Sequence, residues 1–330
     1  MSSNPPVPLR VLFMGTPDAA VPTLRAIHAA GVPIPLVVTR PDRPRGRGKA
    51  LAASPVKIAA EGLGLAIFQP DNVNSLDSVD RLRSTEADVL LIVAYGRILK
   101  QAVLDVPRLL PLNLHFSLLP EYRGAAPVSK AIAEGRTRTG VTIQRVVRKL
   151  DAGPVLRQRE TEIAPGETTD ALEARLAVLG AELTIDALDI IGRGDAVETP
   201  QDESKATFAP MLAKADGAMD FRRSAEEAAN HVRAMYSWPG AQAIFVSAKR
   251  PKKLPVTLTA ARPGETDSPF RGPGEVIEVT ADSISVQTGR GSLSVLRLKP
   301  AGKREQTAAE FANGYHVVPG DRFQSPTSMS

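Results

Sequence analysis

The chain has 330 residues, 43% of them apolar and 23% charged, so it is long enough for two domains with separate cores and is not composed like a disordered protein. It contains no cysteine, which excludes disulfides, thiol nucleophiles and thiolate metal sites and suits a reducing compartment. The net charge is +5, and most of the excess falls in the C-terminal part; this permits a polyanionic partner, although a modest excess more often marks a solvated surface.

Two further classes of protein are not supported, because the chain lacks their patterns. The histidines are scattered without the close spacing of zinc ligands, so the sequence predicts no metal site; they are His28, His115, His231 and His316. The first residues do not form a charged segment followed by an apolar one, and no run of about 18 apolar residues occurs to span a bilayer. We therefore expect a cytoplasmic protein that does not enter a membrane.

Short apolar runs alternate with helical segments through the first half of the chain. Residues 9–14 are typical of a buried strand, 15–17 of a turn and 18–30 of a helix. Further strands are predicted at 34–39, 88–94, 111–116, 141–148 and 155–163, with a short helix at 98–104. This alternation predicts the α/β class, with an open, mostly parallel, doubly wound sheet covered by helices on both faces. In such sheets, ligands bind beyond the carboxyl ends of the strands.

A long helix is predicted at 168–191, where apolar residues recur at helical spacing on one face. We expect this helix to close the first domain. The periodicity then fades into polar residues with two prolines, which is typical of a linker. The predicted organisation is a first domain at 1–200, a linker at 201–218 and a second domain at 219–330.

The second domain is predicted to be rich in β-structure. Ser224 and Glu227 form a capping box for a helix that ends near Tyr236. Short β-like runs follow, separated by turns that contain glycine and proline; they lie at 243–246, 256–260, 275–280, 283–287 and 292–298. Five such strands suit a small barrel.

The most informative pair in the sequence is Asn113 and His115, at the end of the strand predicted at 111–116. Residues two apart in a strand project from the same face, so a carboxamide and an imidazole are expected to emerge together where the chain turns. That pair can donate hydrogen bonds to one carbonyl oxygen. Taken singly, these residues are more often a strand-end cap and a satisfied core histidine, and Asp151 is more often a turn residue.

Several segments together resemble the formyltransferases that use 10-formyltetrahydrofolate. They lie at 39–49, 93–96, 113–120, 123–127, 150–154 and 300–303, and the resemblance covers nearly the whole chain. It implies a Rossmann-like formyltransferase domain followed by an OB-like barrel, with 10-formyltetrahydrofolate as co-substrate. Within the family, the resemblance is to members that act on initiator methionyl-tRNA. It therefore implies formyl transfer to the amino group of tRNA-bound methionine, for translation initiation.

Because Asn113, His115 and Asp151 all lie in the segments that resemble the formyltransferases, we interpret them as one acyl-transfer site. Formyl transfer between amines passes through a tetrahedral intermediate with negative charge on the former carbonyl oxygen, so it needs donors for that oxygen and a route for the proton. Asn113 donates without changing charge, and His115 donates as imidazolium or shuttles the proton. Asp151 is the candidate for orienting the ring and favouring its charged form. This interpretation requires no covalent intermediate.

The resemblance also implies a cleft for the folate. Its residues are Val93, Ala94, Tyr95, Gly96, Ser117, Leu118, Leu119 and Pro120. Backbone groups there can bond the pterin edge while apolar side chains supply the walls, although core packing explains the leucines equally well. One position departs from the family pattern, because Phe116 stands where many relatives have a small residue, commonly glycine. Its ring is expected to narrow the turn.

A basic stretch at 42–49 contains prolines and glycines that prevent a stable helix. Its cations are Arg43, Arg45, Arg47 and Lys49, against a single acid. Such a loop can follow a phosphate backbone and become ordered when its partner arrives, or it can be a solvated surface loop, and composition leaves both interpretations open. The resemblance implies that these cations contact the acceptor-stem end of the tRNA.

Two alternatives remain open from the residues. The same chemistry can serve another acceptor, either an amino sugar nucleotide or glycinamide ribonucleotide, and a non-catalytic RNA-binding protein is the alternative from a different class. The basic stretch and the β-rich second domain favour tRNA, and the presence of Asn113, His115 and Asp151 together favours an enzyme. Neither a Gly-x-Gly-x-x-Gly nor a Walker pattern occurs, so nucleotide cofactors are poorly supported. We expect a monomer.

Overall fold

A computed structural model describes residues 9–45, 50–248, 253–264 and 271–326. They divide into two compact units. The first unit comprises the described parts of 1–127, 138–162 and 173–209; the second comprises the described parts of 128–137, 163–172 and 210–330. The domain bounds predicted from the sequence stay a prediction.

The strands and helices of residues 9–209 alternate along the chain. The strands are β1 (Val11–Gly15), β2 (Leu36–Val38), β3 (Arg43–Arg45), β4 (Ala50–Ala52), β5 (Ile67–Phe68), β6 (Val89–Val93), β7 (Leu110–His115), β8 (Arg123–Gly124), β9 (Arg138–Arg145), β10 (Val155–Glu162) and β11 (Phe208–Ala209). The helices are α1 (Val21–Ala29), α2 (Pro55–Gly62), α3 (Leu76–Arg83), α4 (Gln101–Leu104), α5 (Pro127–Ala133) and α6 (Thr169–Arg193). Short 3₁₀ turns lie at 18–20 and 203–205.

The first unit is built on one sheet of order β10-β9-β7-β6-β1-β2-β5. The strands from β5 to β7 pair in parallel, whereas β9 and β10 are antiparallel. The predicted open, mostly parallel sheet is therefore confirmed. The chain runs outwards from β1 through β2 to β5 on one side and from β6 to β7 on the other, so the order reverses between β1 and β6. In this class of sheet, the crevice at that reversal is where ligands bind.

The central strands form because they are apolar on both faces, as a covered parallel sheet requires. Every residue of β1 is buried, and β6 is buried except for partial exposure at Ile92. One cluster of the core joins Leu12, Val38 and Leu90 of the sheet to α3 through Leu82. The strands are therefore fixed in place at the ends that carry the polar residues described below.

Helix α6 holds β7 from the face opposite to Asn113 and His115. A Cβ atom at Gly180 would lie only 2.7 Å from Cδ2 of Leu114, so the glycine permits the helix backbone to approach the strand closely. Leu114 is 2% exposed. Because side chains alternate along a strand, anchoring Leu114 on one face fixes the direction of its two polar neighbours on the other.

The described residues after 210, which belong to the second unit, form an antiparallel sheet and two helices. The elements are α7 (Ala225–Ala234), β12 (Ala241–Val246), β13 (Lys253–Gly264), β14 (Val276–Val279), β15 (Ile284–Gln287), β16 (Ser292–Pro300), β17 (Gln306–Thr307), α8 (Ala308–Tyr315) and β18 (Arg322–Gln324). The sheet has the order β14-β15-β16-β13-β12-β18, with β17 on β16. A bridge between Glu275 and Arg322 joins its two edges. The predicted OB-like barrel domain is therefore confirmed.

Capping boxes begin both α7 and α8. In the box predicted for α7, the Glu227 amide donates to Ser224 Oγ and the Ser224 amide donates to Glu227 Oε2. Thr307 and Glu310 form the same reciprocal pair at α8. Sequence reasoning missed α8, although the Thr-x-x-Glu signal that could have identified it is present.

The helix predicted at 98–104 is shorter than expected, because α4 begins only at Gln101. The side chain of Asn74 accounts for the difference. Its Nδ2 donates to the Ile98 carbonyl at 3.0 Å, and its Oδ1 accepts from the Lys100 amide at 2.7 Å. These bonds satisfy backbone groups outside a helix, so residues 98–100 stay out of the helix. In the described part of the chain, every helix is too short or too polar to cross a membrane.

Candidate active site

Polar side chains meet an apolar cavity beyond the ends of β6, β7 and β9. Asn113 pairs in register with Ile92 of β6 on one side and with Gln144 of β9 on the other. All three line a cavity of about 820 Å³, together with Asp151. The remaining lining residues are Arg97, Ile98, Leu99, Lys100, Gln101, Leu104, Val146, Val147, Arg148 and Leu150. A few polar groups on mostly apolar walls are the usual make-up of a small-molecule site.

The carboxamide of Asn113 is a free and uncharged donor of this site. It lies at the edge of the cavity and makes no hydrogen bond to any other described residue. A carboxamide has two N–H donors, and it keeps them at any pH because it does not titrate. Asn113 is thus able to donate to a carbonyl oxygen placed in the cavity.

The imidazole of His115 is buried, with 5% of the residue exposed. Its Nε2 lies 2.9 Å from the carbonyl oxygen of Tyr122, and because a carbonyl only accepts, Nε2 carries a proton. Its Nδ1 lies 3.8 Å from Asp151 Oδ2, which is ion-pair distance but longer than a hydrogen bond. Nδ1 is therefore the ring nitrogen available to exchange a proton, and it faces the carboxylate.

Asp151 is held in a strained turn by two donors. Its φ of 45° lies in the left-handed region, which is unfavourable for a residue with a side chain. Oδ2 accepts from the Gly124 amide at 2.8 Å, and Oδ1 accepts from Gln144 Nε2 at 3.0 Å. Gly153 completes the turn, since a Cβ there would lie 1.8 Å from the Arg145 carbonyl oxygen. The structure thus brings the three predicted catalytic residues together, although only Asn113 and Asp151 line the cavity.

A buried arginine and a distant glutamine support this turn. Gln201 Nε2 donates to the carbonyl oxygens of Asp151 at 2.9 Å and Gly153 at 2.7 Å, while its Oε1 accepts from Arg123 Nη2 at 2.7 Å. The guanidinium of Arg123, which is 1% exposed, also donates to Glu203. Hydrogen bonds from Arg123 and then Lys149 lower the pKa of the Glu203 carboxyl to about 2.

Sequence reasoning missed Gln201 and Glu203. They lie 78 and 80 residues from Arg123, so no local spacing connects them to the site. The only available signal was Arg123 itself, because a guanidinium in a motif between buried segments requires an acceptor or a counter-ion.

None of the eight predicted folate residues is among the residues that line this cavity in the described part of the chain. Val93, Ser117 and Leu119 are buried. The hydroxyl of Thr142 on β9 donates to the Ser117 carbonyl at 2.6 Å and accepts a hydrogen bond from the Leu119 amide. These two bonds attach the loop after β7 to β9. The walls described above instead come from 97–104 and 144–151. The role of the eight residues in folate binding stays a prediction. Phe116, which departs from the family pattern, is buried.

A second cavity, of about 510 Å³, opens beside the first. Tyr95 and Gly96 line it together with Arg40, and Arg97 and Ile98 line both cavities. Tyr95 is 2% exposed, and burial raises the pKa of its phenol. The backbone at Ala94, between β6 and these residues, has a φ of 47°. Strained backbone of this kind concentrates at functional sites.

The basic stretch carries a short hairpin in which β3 pairs with β4. Arg43 is exposed, whereas the Arg45 side chain, Arg47 and Lys49 lie outside the described residues. The acid of the stretch, Asp42, accepts from Gln69 and Lys57. These bonds, Gln69 first, lower the pKa of the Asp42 carboxyl. Asp42 is therefore paired with the body of the unit and does not pair with Arg43.

Two family models match the chain, one over the N-terminal α/β part and the other over the C-terminal β-rich part. Residues 9–188 match a model described as formyl transferase, and residues 211–316 match one described as formyl transferase, C-terminal domain. The chain belongs to the formyl transferase family. A relative in Solibacter usitatus, named methionyl-tRNA formyltransferase, is 42% identical over 315 residues, which cover 96% of this chain and 98% of the relative.

Two solved structures are also similar to this chain in fold. HypX from Aquifex aeolicus, in complex with tetrahydrofolic acid, has a TM-score of 0.60 and 18% identity over 94% of this chain and 48% of its own. WlaRD, a sugar 3N-formyl transferase, has a TM-score of 0.62 and 16% identity over 90% of this chain and 100% of its own. At these identities the likeness shows the fold alone. Among the described residues, no cluster of His, Asp or Glu suited to a metal ion occurs.

We predict that Gln201→Leu destabilises the protein by about 1–3 kcal/mol, because it removes an acceptor from the buried Arg123 and a donor from two carbonyls of the Asp151 turn. Urea unfolding measures this cost. The control is Gln242→Leu, since Gln242 donates one bond, to the Pro239 carbonyl. A cost at position 201 no greater than at position 242 would contradict a supporting role for Gln201.

Proposed function

We propose that this chain transfers the formyl group of 10-formyltetrahydrofolate to the amino group of methionine on initiator tRNA, for translation initiation. The observation that carries the proposal is the free carboxamide of Asn113 beside Asp151 in an apolar cavity. Membership of the formyl transferase family supplies the reaction, and a relative named for methionyl-tRNA over nearly the full chain supports this acceptor.

The proposed chemistry follows from the two charges that change during the reaction. The methionine amine attacks the formyl carbon, and negative charge builds on the formyl oxygen as the tetrahedral intermediate forms. The Asn113 amide donates to that oxygen, where a fixed donor lowers the barrier most. The attacking nitrogen must lose a proton and the folate nitrogen must gain one when the carbon–nitrogen bond breaks. His115 Nδ1 and Asp151, which face each other, relay that proton.

The formyl donor, 10-formyltetrahydrofolate, suits the cavity by its chemistry. Ile92, Leu99 and Leu104 supply walls for flat aromatic rings, and the ends of β6 and β7 offer backbone groups for the pterin edge. We propose that the predicted residues at 93–96 and 117–120, which do not themselves line this cavity, contribute to folate binding from behind its walls.

Positive charge on the first unit supports tRNA as the acceptor of the formyl group. Strands β3 and β4 pair around the basic stretch. The acid of the stretch, Asp42, is bound to Lys57 and Gln69 and therefore does not neutralise Arg43. We propose that Arg43, Arg45, Arg47 and Lys49 follow the phosphates of the tRNA acceptor stem. An amino sugar nucleotide or glycinamide ribonucleotide offers few phosphates for so many cations. A monomeric state and a cytoplasmic location stay predictions.

Formyl transfer by the purified protein to three acceptors tests the proposal: methionyl-tRNA, an amino sugar nucleotide and glycinamide ribonucleotide, each with 10-formyltetrahydrofolate. We expect product with methionyl-tRNA and none above background with the others. Product with a small acceptor alone would replace the proposed acceptor, and RNA binding without any transfer would favour the non-catalytic alternative.

Asn113→Ala is expected to lower kcat for formyl transfer about 100- to 1,000-fold, the usual effect of removing one oxyanion donor. The matched control is Asn313→Ala, on an exposed position of α8, which should retain full activity. Unchanged unfolding by urea shows that the variant is folded. Near-normal turnover in that folded variant would remove Asn113 from the mechanism.

Arg47→Glu is expected to raise KM for methionyl-tRNA and to flatten its dependence on salt, because fewer counterions are released when the tRNA binds. KM for the folate should not change. Arg25→Glu, an equal change of charge on the exposed side of α1, is the control. A salt slope equal to that of the unmodified protein would mean that the stretch is only a solvated loop.

A further inference from the structure

A segment after α6 binds the loop on which both groups of the proposed proton relay depend. This segment, residues 199–209, belongs to the first unit, and the chain passes into the second unit at Pro210. Its last two residues form β11, which pairs in parallel with β8. We call residues 199–209 the strap.

The loop at residues 122–124 supplies one hydrogen-bond partner to each group of the relay. The Tyr122 carbonyl accepts from His115 Nε2 at 2.9 Å. The Gly124 amide donates to Asp151 Oδ2 at 2.8 Å. Both loop residues have a positive φ, 59° at Tyr122 and 119° at Gly124. A residue with a side chain, such as Tyr122, persists in this conformation only where its surroundings stabilise it.

Thr207 of the strap binds this loop through three hydrogen bonds. Its Oγ1 accepts from the Tyr122 amide at 2.8 Å, and its carbonyl accepts from the Arg123 amide at 2.9 Å. Its own amide donates to the Pro120 carbonyl at 3.3 Å. Only the bond to Tyr122 uses the side chain of Thr207. A substitution can therefore remove that bond and leave the other two in place.

The strap lies too close to the loop for any residue but glycine at position 124. A Cβ atom on Gly124 would lie 2.5 Å from the Ala209 carbonyl oxygen. The Ala126 amide donates to that same oxygen at 3.2 Å. The strap therefore contacts the loop along all of β8, and the directions of the loop's backbone groups depend on it.

The hydrogen bond from His115 to Tyr122 decides which ring nitrogen carries the proton. A neutral imidazole has one N–H, and two acceptors compete for it: the Tyr122 carbonyl at Nε2 and the Asp151 carboxylate at Nδ1. The carbonyl is nearer, at 2.9 Å against 3.8 Å, so the proton lies on Nε2. If the carbonyl moved away, the proton would pass to Nδ1. That nitrogen could then no longer accept a proton from the attacking amine.

We infer that Thr207 is a positioning residue for His115. Its hydroxyl oxygen, through the backbone of Tyr122, keeps the ring in the tautomer whose Nδ1 is free to accept a proton. This inference rests on the proposed function, in which Nδ1 relays the proton of the attacking amine. Thr207 is exposed and lines neither of the two cavities described above. Its loss is therefore expected to change turnover and not folate binding.

Thr207→Val keeps the branched side chain and removes its oxygen, so it tests the inference. We expect kcat for formyl transfer to fall about tenfold, while KM for the folate and for methionyl-tRNA stays within about twofold. Thr207→Ser restores the oxygen and should recover most of the activity. The matched control is Thr307→Val, because Thr307 Oγ1 also accepts from one backbone amide, that of Glu310. This control should keep full turnover.

The His115 ring can be observed without any substrate. Two-bond proton–nitrogen NMR correlations, recorded on protein with isotope-labelled histidine, distinguish the two tautomers, and a His115→Gln variant identifies the signals of this ring. The spectra are recorded at mildly alkaline pH, where an ordinary imidazole is neutral. We expect a proton on Nε2 in the unmodified protein, in Thr207→Ser and in Thr307→Val. In Thr207→Val, we expect a substantial fraction of the ring to carry its proton on Nδ1.

Unchanged signals from the other histidines show that each variant is folded. Full kcat in Thr207→Val, or a lowered kcat with the proton still on Nε2, would overturn the inference. A raised KM for methionyl-tRNA with kcat and tautomer intact would make Thr207 a tRNA contact, which also overturns it. If the unmodified protein formylates no acceptor, the proposed function itself fails, whereas the NMR measurement still tests the effect of Thr207 on His115.

Discussion

The site depends on how one carboxylate is held. Asp151 occupies a left-handed turn whose strain must be balanced by its surroundings, and its oxygens accept from the Gly124 amide and from Gln144. Gly124 follows the loop after β7, and Gln144 lies on β9. The position of the acid therefore depends on the sheet and on that loop at once. Gln201 adds bonds to the carbonyls of the same turn, so a third segment stabilises it.

The structure also separates the roles that the sequence joined. Spacing along β7 predicted that Asn113 and His115 would act as a pair on one oxygen. The ring of His115 is buried, and its Nε2 is committed to the Tyr122 carbonyl, which leaves only the nitrogen that faces Asp151. Of this pair, Asn113 is the uncommitted donor that lines the cavity. In the proposed mechanism, the carboxamide therefore acts on the formyl oxygen and the imidazole acts on the proton.

Local patterns predicted the parts of this protein that local forces determine. The buried runs that became β1, β6 and β7, and the capping box of α7, depend on neighbours in the sequence. The segment 98–100 did not follow its helical pattern, because the side chain of Asn74, more than twenty residues earlier, bonds its backbone. The support of Arg123 by Gln201 was likewise invisible, since only the folded chain brings them together. Long-range hydrogen bonds thus formed the walls and the support of the site.

The reacting groups do not select the acceptor. Asn113, His115 and Asp151 would meet only a formyl carbon and an amine, and these look alike whether the amine belongs to tRNA, a sugar nucleotide or a ribonucleotide. Discrimination must therefore come from binding energy at parts of the substrates remote from the reacting carbon. The first unit provides such parts in two adjacent cavities that share Arg97 and Ile98. Because Asn74 bonds the backbone of Ile98 and Lys100, one asparagine outside the motif shapes the walls on which both substrates of the proposed reaction would depend.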